Sequence, residues 1–513
     1  MDPFIVALRD PACYPHPAGD VEVIETHISW VLLAGEYAYK VKKPVKLPFL
    51  DFSTLAARCH FCEEELRLNR RTAPELYLDV LPIVQTANGP SLVGAGAPVD
   101  YAVRMRRFPA DALADRMARA GTLGPEQVDA IAQTLARFHA SLPAAARFGT
   151  AVQVSAPALG NFDQLAALPA AAGSRVDIAR LHAWTTRECG RLVALFDARG
   201  GAGFVRECHG DLHLGNIAFI EDRPTLFDCI EFDPALRWID VMSEIAFLVM
   251  DLRAHGLPAL AWRALNACLE ASGDYEGLAV LRFYLVYRAM VRAKIALLRA
   301  DVAAFRSHLV LAASLAAPGR AALVVMHGLS GSGKTTVSQA LIERTGALRL
   351  RSDVERKRLH GLPASARSAS ALDAGLYDAA SSERTYKRLA DLAAAAVRSG
   401  YSVIVDAAFL RREERDRFRG LALRLEADFL MVSCEAPDAV LRARVTRRSV
   451  QAKDASEAGV PVLERQFASP QPFTTDEAAA TVCVNTGSED GLRRGIETVA
   501  ARLARREAAL TAH

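Results

Sequence analysis

The segment from Gly328 to Thr335 constrains this chain more than any other. It fits the phosphate-loop pattern G-x-x-x-x-G-K-[ST] at every fixed position. Residues 321–326 before it predict a short buried parallel strand, and the residues from Thr336 onward predict an amphipathic helix. Glycines let a loop wrap around phosphate groups, backbone N–H groups point inward, and the helix dipole favours the anion. The sequence therefore predicts a nucleoside triphosphate site in the C-terminal third.

Each residue type of this loop has a predicted task. Lys334 would neutralise the β- and γ-phosphates, and the Thr335 hydroxyl would hold Mg²⁺. The residues predicted to bind the nucleotide are Gly328, Ser330, Gly331, Ser332, Gly333, Lys334, Thr335 and Thr336. The alternative is a flexible Gly/Ser loop, and the strand before it together with Lys-Thr in register argues against that.

The rest of the C-terminal region alternates between strand and helix patterns, which predicts a parallel sheet with right-handed crossovers. The predicted strands are 321–326, 347–351, 402–406, 428–434 and 481–485. Asp406 ends an apolar strand, as a Walker-B-like carboxylate near Mg²⁺ does. Asp353 follows another strand at the sheet edge where ligands bind in open sheets. We therefore expect Asp406 near the metal and Asp353 near an acceptor hydroxyl.

Arginines supply the predicted positive charge of this site. Arg356 would bind a charge on the acceptor; the alternative is that residues 356–358 form a solvent-facing helix surface. Arg444 and Arg447 belong to a basic helix followed by a polar stretch that ends near Val460. This pattern predicts a lid whose arginines stabilise the transferring phosphoryl group.

A second stretch with several candidate catalytic and metal-binding side chains covers residues 208–217. Asp211 and Asn216 have the D-x-x-x-x-N spacing of a kinase catalytic loop, and residues 224–232 predict a strand that carries Asp228 to the place of the metal-binding Asp. Asp211 would reach the acceptor hydroxyl, while Asn216 and Asp228 would bind Mg²⁺. The alternative is a transition-metal site made of His209, His213, Asp211 and Asp228, in which Asn216 would have no role.

A hairpin near the N-terminus carries a possible partner for these residues. Strands 28–33 and 37–41 flank a turn at Gly35, and a helix is predicted over residues 54–71. A strand lysine paired with a helix glutamate holds the α- and β-phosphates in protein-kinase-like enzymes. The candidates are Lys40 and Lys42 on the strand and Glu63, Glu64 and Glu65 on the helix.

The motif from His209 to Asn216 and the downstream Asp228 resemble the signature of aminoglycoside phosphotransferases and related small-molecule kinases. The resemblance implies a two-lobed, protein-kinase-like fold over residues 1–315, with a small lobe over about 1–108 and a large lobe over about 109–315. It implies that Asp211 is the catalytic base, that His209 supports the loop, and that Asn216 and Asp228 are magnesium ligands. Lys40 and Glu65 match the nucleotide-binding ion pair best, and Lys42, Glu63 and Glu64 stay open.

Further positions bear on this resemblance. Asp240 matches a structural Asp that follows the metal site in the family. Arg288, on a helical stretch further along the chain, could line an acceptor cleft, but a solvent-exposed helix face is the favoured interpretation. The chain departs from the kinase pattern because it lacks a G-x-G-x-x-G loop before Lys40, so that the loop over the phosphates would be built around residues 26–29.

Residues 321–513 resemble small P-loop kinases, including gluconate-kinase-like and zeta-toxin-like enzymes and polynucleotide kinase domains. The order of the whole chain resembles bacterial fusion proteins that join a phosphotransferase-like domain to a P-loop ATPase or kinase domain. The expected fold class is therefore α/β and α+β in two domains, the second a P-loop NTPase with a parallel sheet flanked by helices.

Composition limits the remaining choices. The chain has 513 residues, 51% of them hydrophobic and 24% charged, with a formal net charge of +3. No global charge favours a nucleic acid or a membrane surface, and no apolar run approaches a membrane span. Nine scattered cysteines predict reduced thiols in a cytoplasmic protein.

These patterns lead to one main hypothesis and two alternatives. The main one is a bifunctional ATP-dependent phosphotransferase with ATP and Mg²⁺ as cofactors and small hydroxyl-bearing acceptors. The second makes the N-terminal domain a catalytically weak nucleotide sensor that regulates a P-loop kinase or ATPase. The third makes the P-loop domain a polynucleotide 5′-hydroxyl or nucleotide-sugar kinase. The sequence leaves the acceptors, the coupling of the two sites and the oligomeric state open.

Overall fold

The computed structural model describes residues 2–47, 50–145, 147–168, 173–317, 319, 321–364, 366, 376, 378–451, 458–468 and 471–508. The chain divides into two compact units. The first consists of Met1–His255 with Tyr287–His308, and the second of Gly256–Val286 with Leu309–His513. Among the described residues, no helix is long and apolar enough to cross a bilayer. All nine cysteines are free thiols, as predicted.

The first unit begins with a mainly antiparallel β-structure. Its elements are α1 (Pro3–Ala7), β1 (Glu22–Glu25), β2 (Ser29–Ala34), β3 (Tyr37–Lys42), β4 (Lys46–Leu47), β5 (Leu50–Asp51), α2 (Leu55–Asn69), β6 (Tyr77–Thr86), β7 (Gly89–Ser91) and β8 (Pro98–Arg106). The six-stranded sheet has the order β1-β2-β3-β8-β6-β7. Thr54 caps α2, because its hydroxyl accepts a hydrogen bond from the Ala57 N–H at 3.1 Å. The predicted hairpin and helix are confirmed.

The rest of the first unit is mostly helical. It contains α3 (Ala114–Ala120), α4 (Pro125–Ser141), α5 (Ala151–Ala166), α6 (Arg175–Gly201), β9 (Val205–Glu207), β10 (Ile217–Ile220), β11 (Arg223–Leu226), α7 (Pro234–Arg237), β12 (Trp238–Asp240) and α8 (Val241–Ala254). The strand predicted over residues 224–232 is too long: β11 ends at Leu226. Asp228 has φ +66°, a left-handed conformation that a strand does not continue through.

The second unit is built on a parallel sheet. Its elements, with two helices shared with the first unit, are α9 (Pro258–Ser272), α10 (Leu278–Leu298), α11 (Val302–Ala316), β13 (Ala322–His327), α12 (Lys334–Thr345), β14 (Leu348–Arg351), α13 (Ser352–Leu359), α14 (Ala379–Arg398), β15 (Val403–Asp406), α15 (Arg412–Arg424), β16 (Asp428–Glu435), α16 (Asp438–Gln451), α17 (Val460–Ala468), α18 (Thr475–Ala479), β17 (Thr481–Asn485) and α19 (Glu489–Ala508). The strand order is β14-β15-β13-β16-β17, and every pair is parallel. All five predicted strands are therefore confirmed.

The core of this unit explains why its strands could be predicted from apolar runs in the sequence. β13 is buried along almost its whole length, and Val324, Ile404 and Leu430 on three adjacent strands belong to one apolar cluster with Leu341 of α12. Helices on both faces of a parallel sheet leave its central strands no polar face.

The packing boundary differs from the sequence-based division at residues 315–321. Residues 256–286 pack with the second unit. One reason is that the Trp262 ring lies against Gly346, where an added Cβ would come within 2.7 Å of the ring. The second unit therefore includes a helical segment that lies well before the phosphate loop in the sequence.

Candidate nucleotide sites

The phosphate loop connects β13 to α12 in a conformation that needs glycine. Gly328, Gly331 and Gly333 have φ values of +138°, +81° and +85°. A Cβ at Gly328 would lie 2.5 Å from the Cys434 carbonyl oxygen, and one at Gly331 would lie 2.8 Å from the Leu441 carbonyl oxygen. These positions are therefore fixed by both backbone conformation and space.

Two neighbours brace the loop from the side of β17. The Thr486 hydroxyl donates to the Ser332 carbonyl oxygen at 2.8 Å. Arg444 donates to the Thr486 carbonyl oxygen at 2.6 Å and to the Gly331 carbonyl oxygen at 3.4 Å. Arg444 is thus hydrogen-bonded both to the backbone of the loop and to Thr486, so that it braces the loop.

Lys334 lies folded onto the loop that it belongs to. Its Nζ donates to the carbonyl oxygens of Gly328 and Leu329 at 2.8 and 2.9 Å. Burial lowers the pKa of Lys334, although Asp406 acts in the opposite direction. A nearby anion such as a phosphate would restore the charged form.

Oxygen ligands suited to Mg²⁺ meet beside the loop. Thr335 follows Lys334, and Asp406 ends β15 next to β13. The Ser338 hydroxyl donates to Asp406 Oδ2 at 3.1 Å and so orients the carboxylate. Hydroxyl and carboxylate oxygens fit the preference of Mg²⁺. Thr335 and Asp406 both line one cavity of about 660 Å³.

The same cavity includes the predicted acceptor residues. Its lining contains Ser330, Gly331, Gly333, Lys334, Thr335, Thr336, Ser352, Asp353, Arg356, Tyr386, Asp406, Arg444, Arg447 and Arg448. Arg356 Nη1 donates to Asp353 Oδ1 at 3.1 Å, one helical turn apart on α13. Arg356 and Lys357 are buried, so the solvent-facing alternative for them is wrong. Part of the predicted lid, residues 452–457, lies outside the described residues.

In the first unit, both candidate lysines contact one glutamate. Lys40 Nζ lies 2.8 Å from Glu65 Oε1 and 2.5 Å from Asp228 Oδ1, and Lys42 Nζ lies 2.7 Å from Glu65 Oε2. Lys42 also contacts Glu231. Burial opposes the charged forms, yet the carboxylates hold the pKa of Lys40 well above its ordinary value and raise that of Lys42.

The other helix carboxylates point elsewhere. Glu64 pairs with Arg67 and Arg237, and Glu63 accepts a weak hydrogen bond from the Cys59 thiol. Among the three candidates, the helix thus brings Glu65 to the strand lysines.

The predicted catalytic loop follows β9. The Asp211 side chain is 38% exposed, which leaves it open to a substrate. The Asn216 side chain donates to the Asp211 carbonyl oxygen at 2.9 Å and so closes the loop on itself. His209 Nε2 lies 2.7 Å from the Phe227 carbonyl oxygen, and its Nδ1 accepts from the Asp211 N–H at 3.3 Å. His209 therefore connects the catalytic loop to the segment that carries Asp228.

Asp228 occupies a strained backbone position beside Lys40. Its N–H donates to the Tyr77 hydroxyl at 3.2 Å. Burial would raise the pKa of the Asp228 carboxyl, but Lys40 holds it below its ordinary value. The side chain is 42% exposed, and an ionised, accessible carboxylate is suited to bind a metal ion.

Three charged residues that support the catalytic loop were missed or misjudged from the sequence. Glu244 Oε1 accepts from the Gly210 N–H at 2.8 Å, and Asp251 Oδ2 accepts from the Leu214 N–H at 2.9 Å. Arg288 donates to the Gly210 carbonyl oxygen at 3.1 Å and is buried, whereas a solvent-exposed face was predicted. Glu244 and Asp251 lie seven residues apart, two helical turns, on the mainly apolar α8, and that spacing was an available signal.

Asp240 has the structural position that the resemblance implied. Its two oxygens accept from Arg199 at 2.6 and 2.8 Å, and Oδ1 also caps α8 through the Met242 N–H.

Within the described ranges, the four residues of the transition-metal alternative do not form a group whose ligand atoms lie close enough to share one ion. The one group of histidine, cysteine and carboxylate side chains there that lies within ion-sharing distance is His139, Cys208 and Glu244. His139 Nε2 and Glu244 Oε2 already share a hydrogen bond of 2.7 Å. Burial raises the pKa of the Cys208 thiol well above its ordinary value, which disfavours the thiolate that a metal needs.

The fold is that of a protein with a protein-kinase-like unit and a P-loop unit. A family model described as an AAA domain matches residues 323–473. The chain is 32% identical over 461 residues to the uncharacterized protein Rv2004c of Mycobacterium tuberculosis, covering 87% of this chain and 91% of that protein. The chain therefore belongs to the same family as that mycobacterial protein.

Solved kinase structures are also similar to it. One is the APS kinase of Mycobacterium tuberculosis in complex with AMPPNP and APS, which is 21% identical with a TM-score of 0.28. The match covers 37% of this chain and 99% of the APS kinase chain. A choline/ethanolamine kinase family protein of Mesorhizobium loti is 11% identical, covers 61% of this chain and 94% of its own, and gives a TM-score of 0.38.

Proposed function

We propose that the protein is an ATP-dependent phosphotransferase with two Mg-ATP sites, each of which transfers a γ-phosphoryl group to a small hydroxyl-bearing acceptor. The observation that carries the proposal is the shared cavity of the second unit. Lys334 and Thr335 lie in the same space as Asp406, Asp353 and Arg356. Groups suited to bind phosphate, a metal ion and an acceptor thus line one cavity, which supports a transfer reaction there.

In this unit the loop amides and Lys334 would bind the phosphates, and Thr335 and Asp406 would hold Mg²⁺. The metal ion supplies neutralisation of the charge on the transferring group. Asp353 would accept the hydroxyl proton of the acceptor, and Arg356 keeps its carboxylate oriented. Arg447 lines the same cavity, where its charge would favour the transition state.

The charge of the cavity favours an anionic acceptor. Among the lining residues that the structure describes, cationic side chains outnumber carboxylates: the cations are Lys334, Arg356, Arg444, Arg447 and Arg448, and the carboxylates are Asp353 and Asp406. The Mg-ATP complex carries only about two negative charges at neutral pH, so a positive surplus remains. We therefore propose an acceptor with a carboxylate, phosphate or sulfate near its hydroxyl, where Arg356 would bind it.

In the first unit, Asp211 would act as the catalytic base, with Asn216 and Asp228 as Mg²⁺ ligands and Lys40 at the phosphates. Lys40 now contacts Asp228 directly. Nucleotide binding would replace this contact, because the phosphate oxygens offer Lys40 a new partner and Mg²⁺ offers one to Asp228.

The test measures ATP turnover and binding of labelled ATP by the full chain, with Asp211→Ala and Lys334→Ala made separately and together. Each single substitution should remove one component of turnover, Lys334→Ala should also remove one of two binding sites, and the double variant should lack turnover. Exposed positions supply matched controls, Asp163→Ala and Lys387→Ala, which should behave as the parent. Turnover and stoichiometry that neither substitution changes would refute the proposal.

One observation favours the sensor alternative for the first unit. The turn between β1 and β2 is closed by three hydrogen bonds between Thr26 and Ser29. The Thr26 N–H and the Thr26 hydroxyl each donate to the Ser29 carbonyl oxygen at 2.9 Å, and the Ser29 N–H donates to Thr26 Oγ1 at 3.0 Å. A tight turn without glycine offers few free amides to a triphosphate. Mg-ATP binding to the Lys334→Ala chain, without Asp211-dependent turnover across a panel of acceptors, would support the sensor.

A further inference from the structure

A second lysine on β3, Lys42, has no task in the proposed reaction. Lys40 and Lys42 are two residues apart on one strand, so their side chains leave the same face of the sheet. Lys42 is completely buried, whereas the Lys40 side chain is 11% exposed. A buried lysine needs a reason, because removing its charge from water is costly unless carboxylates compensate.

The compensation comes from two carboxylates on different parts of the unit. Glu65 on α2 gives one oxygen to each lysine, Oε1 to Lys40 and Oε2 to Lys42. Glu231, which is itself buried, is the second carboxylate that contacts Lys42. Three carboxylates, those of Glu65, Glu231 and Asp228, thus contact the two lysines Lys40 and Lys42.

Glu231 is fixed to the segment that carries the metal-binding Asp. It lies three residues after Asp228, and its carbonyl oxygen accepts from Arg237 at 3.0 Å. Asn69 of α2 accepts from the Cys229 N–H at 2.9 Å, between these two acidic residues. The backbone from Asp228 to Glu231 is therefore short and held by hydrogen bonds. A displacement of the Glu231 side chain would move Asp228 as well.

We propose that Lys42 is a positioning residue for the nucleotide site of the first unit: it neutralises Glu65 and Glu231 so that Lys40 can exchange Asp228 for phosphate oxygens. Without Lys42, Lys40 would be the one lysine facing three carboxylates and would be retained by them. Glu65 and Glu231 would repel each other across the space left behind, which would shift the Asp228 segment. This inference rests on the proposed Mg-ATP site of the first unit.

The test uses the full chain with Lys334→Ala, a substitution that removes nucleotide binding at the phosphate loop. Mg-ATP affinity is measured with a fluorescent ATP analogue, at a temperature well below the melting temperature of each variant. Lys42→Met should weaken binding at least about tenfold, the size of effect that one uncompensated charge gives. Lys42→Met/Glu231→Gln removes one carboxylate together with the lysine, and it should return affinity to within about threefold of the parent. Lys40→Met should lose binding, and adding Glu231→Gln should not restore it.

The outcomes separate this role from others. If Lys42 only stabilises the fold, Lys42→Met lowers the melting temperature and leaves the Mg-ATP affinity of the folded protein unchanged, which overturns the inference alone. If Lys42→Met does not fold, the double variant decides: affinity no better than that of Lys40→Met overturns the inference. If the Lys334→Ala parent shows no Mg-ATP binding, the proposed function of the first unit fails, and the inference fails with it.

Discussion

The side chain of Asn266 completes the hydrogen bonding of the sheet edge at Arg349. Its Oδ1 accepts from the Arg349 N–H at 2.7 Å, and its Nδ2 donates to the Ala347 carbonyl oxygen at 3.2 Å. β14 is the edge strand of the parallel sheet, and an edge strand leaves one row of backbone groups without a partner. A side chain of α9 thus takes the place of a neighbouring strand, directly before the segment with Asp353.

Asn266→Ala is therefore expected to destabilise the second unit. It leaves the backbone N–H of Arg349 without its acceptor, and an unsatisfied buried donor costs about 1–3 kcal/mol. The measurement is the urea midpoint of the transition that the second unit contributes. Asn88→Ala, at an exposed turn, is the control and should leave that midpoint in place. Equal midpoints for both variants would contradict this role of Asn266.

Gly328→Ala should abolish nucleotide binding at the phosphate loop, because the new Cβ would meet the Cys434 carbonyl oxygen at 2.5 Å. Gly361 is the matched control: it also has a positive φ, +68°, but nothing lies within 4 Å of an added Cβ. Gly361→Ala should cost only about 1–2 kcal/mol of backbone strain and keep full binding. Titration of labelled ATP into the Lys40→Met chain, in which the site of the first unit should no longer bind ATP, compares the two. Unchanged affinity in Gly328→Ala would show that the loop can shift to admit a side chain.

Arg199→Met should destabilise the first unit by about 3–5 kcal/mol, because it leaves the Asp240 carboxylate buried without its partner. Both side chains of this pair are buried, at 4% and 2% exposure. Arg199→Met/Asp240→Asn should lose less than the single variant, since asparagine removes the orphaned charge and still caps α8. Urea unfolding of the parent, Arg199→Met, Asp240→Asn and the double variant gives the coupling energy. A double variant that is less stable than Arg199→Met would mean that the charge of Asp240 serves another partner.

His327 should make the stability of the second unit depend on pH. Burial, with Arg415 and Lys334 nearby, lowers its pKa to about 4, whereas a free histidine has a value of about 6.5. Between these values the unfolded chain binds the proton and the folded chain does not, so stability falls as pH falls from 6.5 to 4.

His327→Asn removes the titration and keeps a polar group near the Ser433 hydroxyl, which lies 3.0 Å from His327 Nδ1. The measurement is the unfolding free energy at several pH values. The slope of the parent should exceed that of the variant by up to about 1.4 kcal/mol per pH unit within this window. Parallel profiles would show that His327 takes up its proton equally in both states.

Much of the second unit could be predicted from the sequence. The phosphate loop and the five parallel strands are encoded locally, by glycines at fixed spacing and by apolar runs such as Leu323–Met326. The N-terminal hairpin and α2 were equally accessible, because a turn glycine and a helix cap act on residues a few positions away.

The partners of charged side chains could not be predicted in the same way. The resemblance matched Lys40 with Glu65 best and left Lys42 open, and in the structure both lysines contact Glu65. Arg288 looked solvent-exposed on its helix pattern, yet its partner Gly210 lies 78 positions earlier. Such pairs depend on how distant elements pack, which local periodicity does not record.

The sequence by itself determined that a triphosphate could be bound at Gly328–Thr335, because the chemistry of that loop lies within eight consecutive residues. It also determined the strand and helix order around it. Only the tertiary structure decided which carboxylate serves which lysine and that α9 completes the edge of the parallel sheet. The physical reason is that a backbone conformation is set mainly by near neighbours, whereas a buried charge or an unpaired edge strand is satisfied by whichever group the folded chain brings to it.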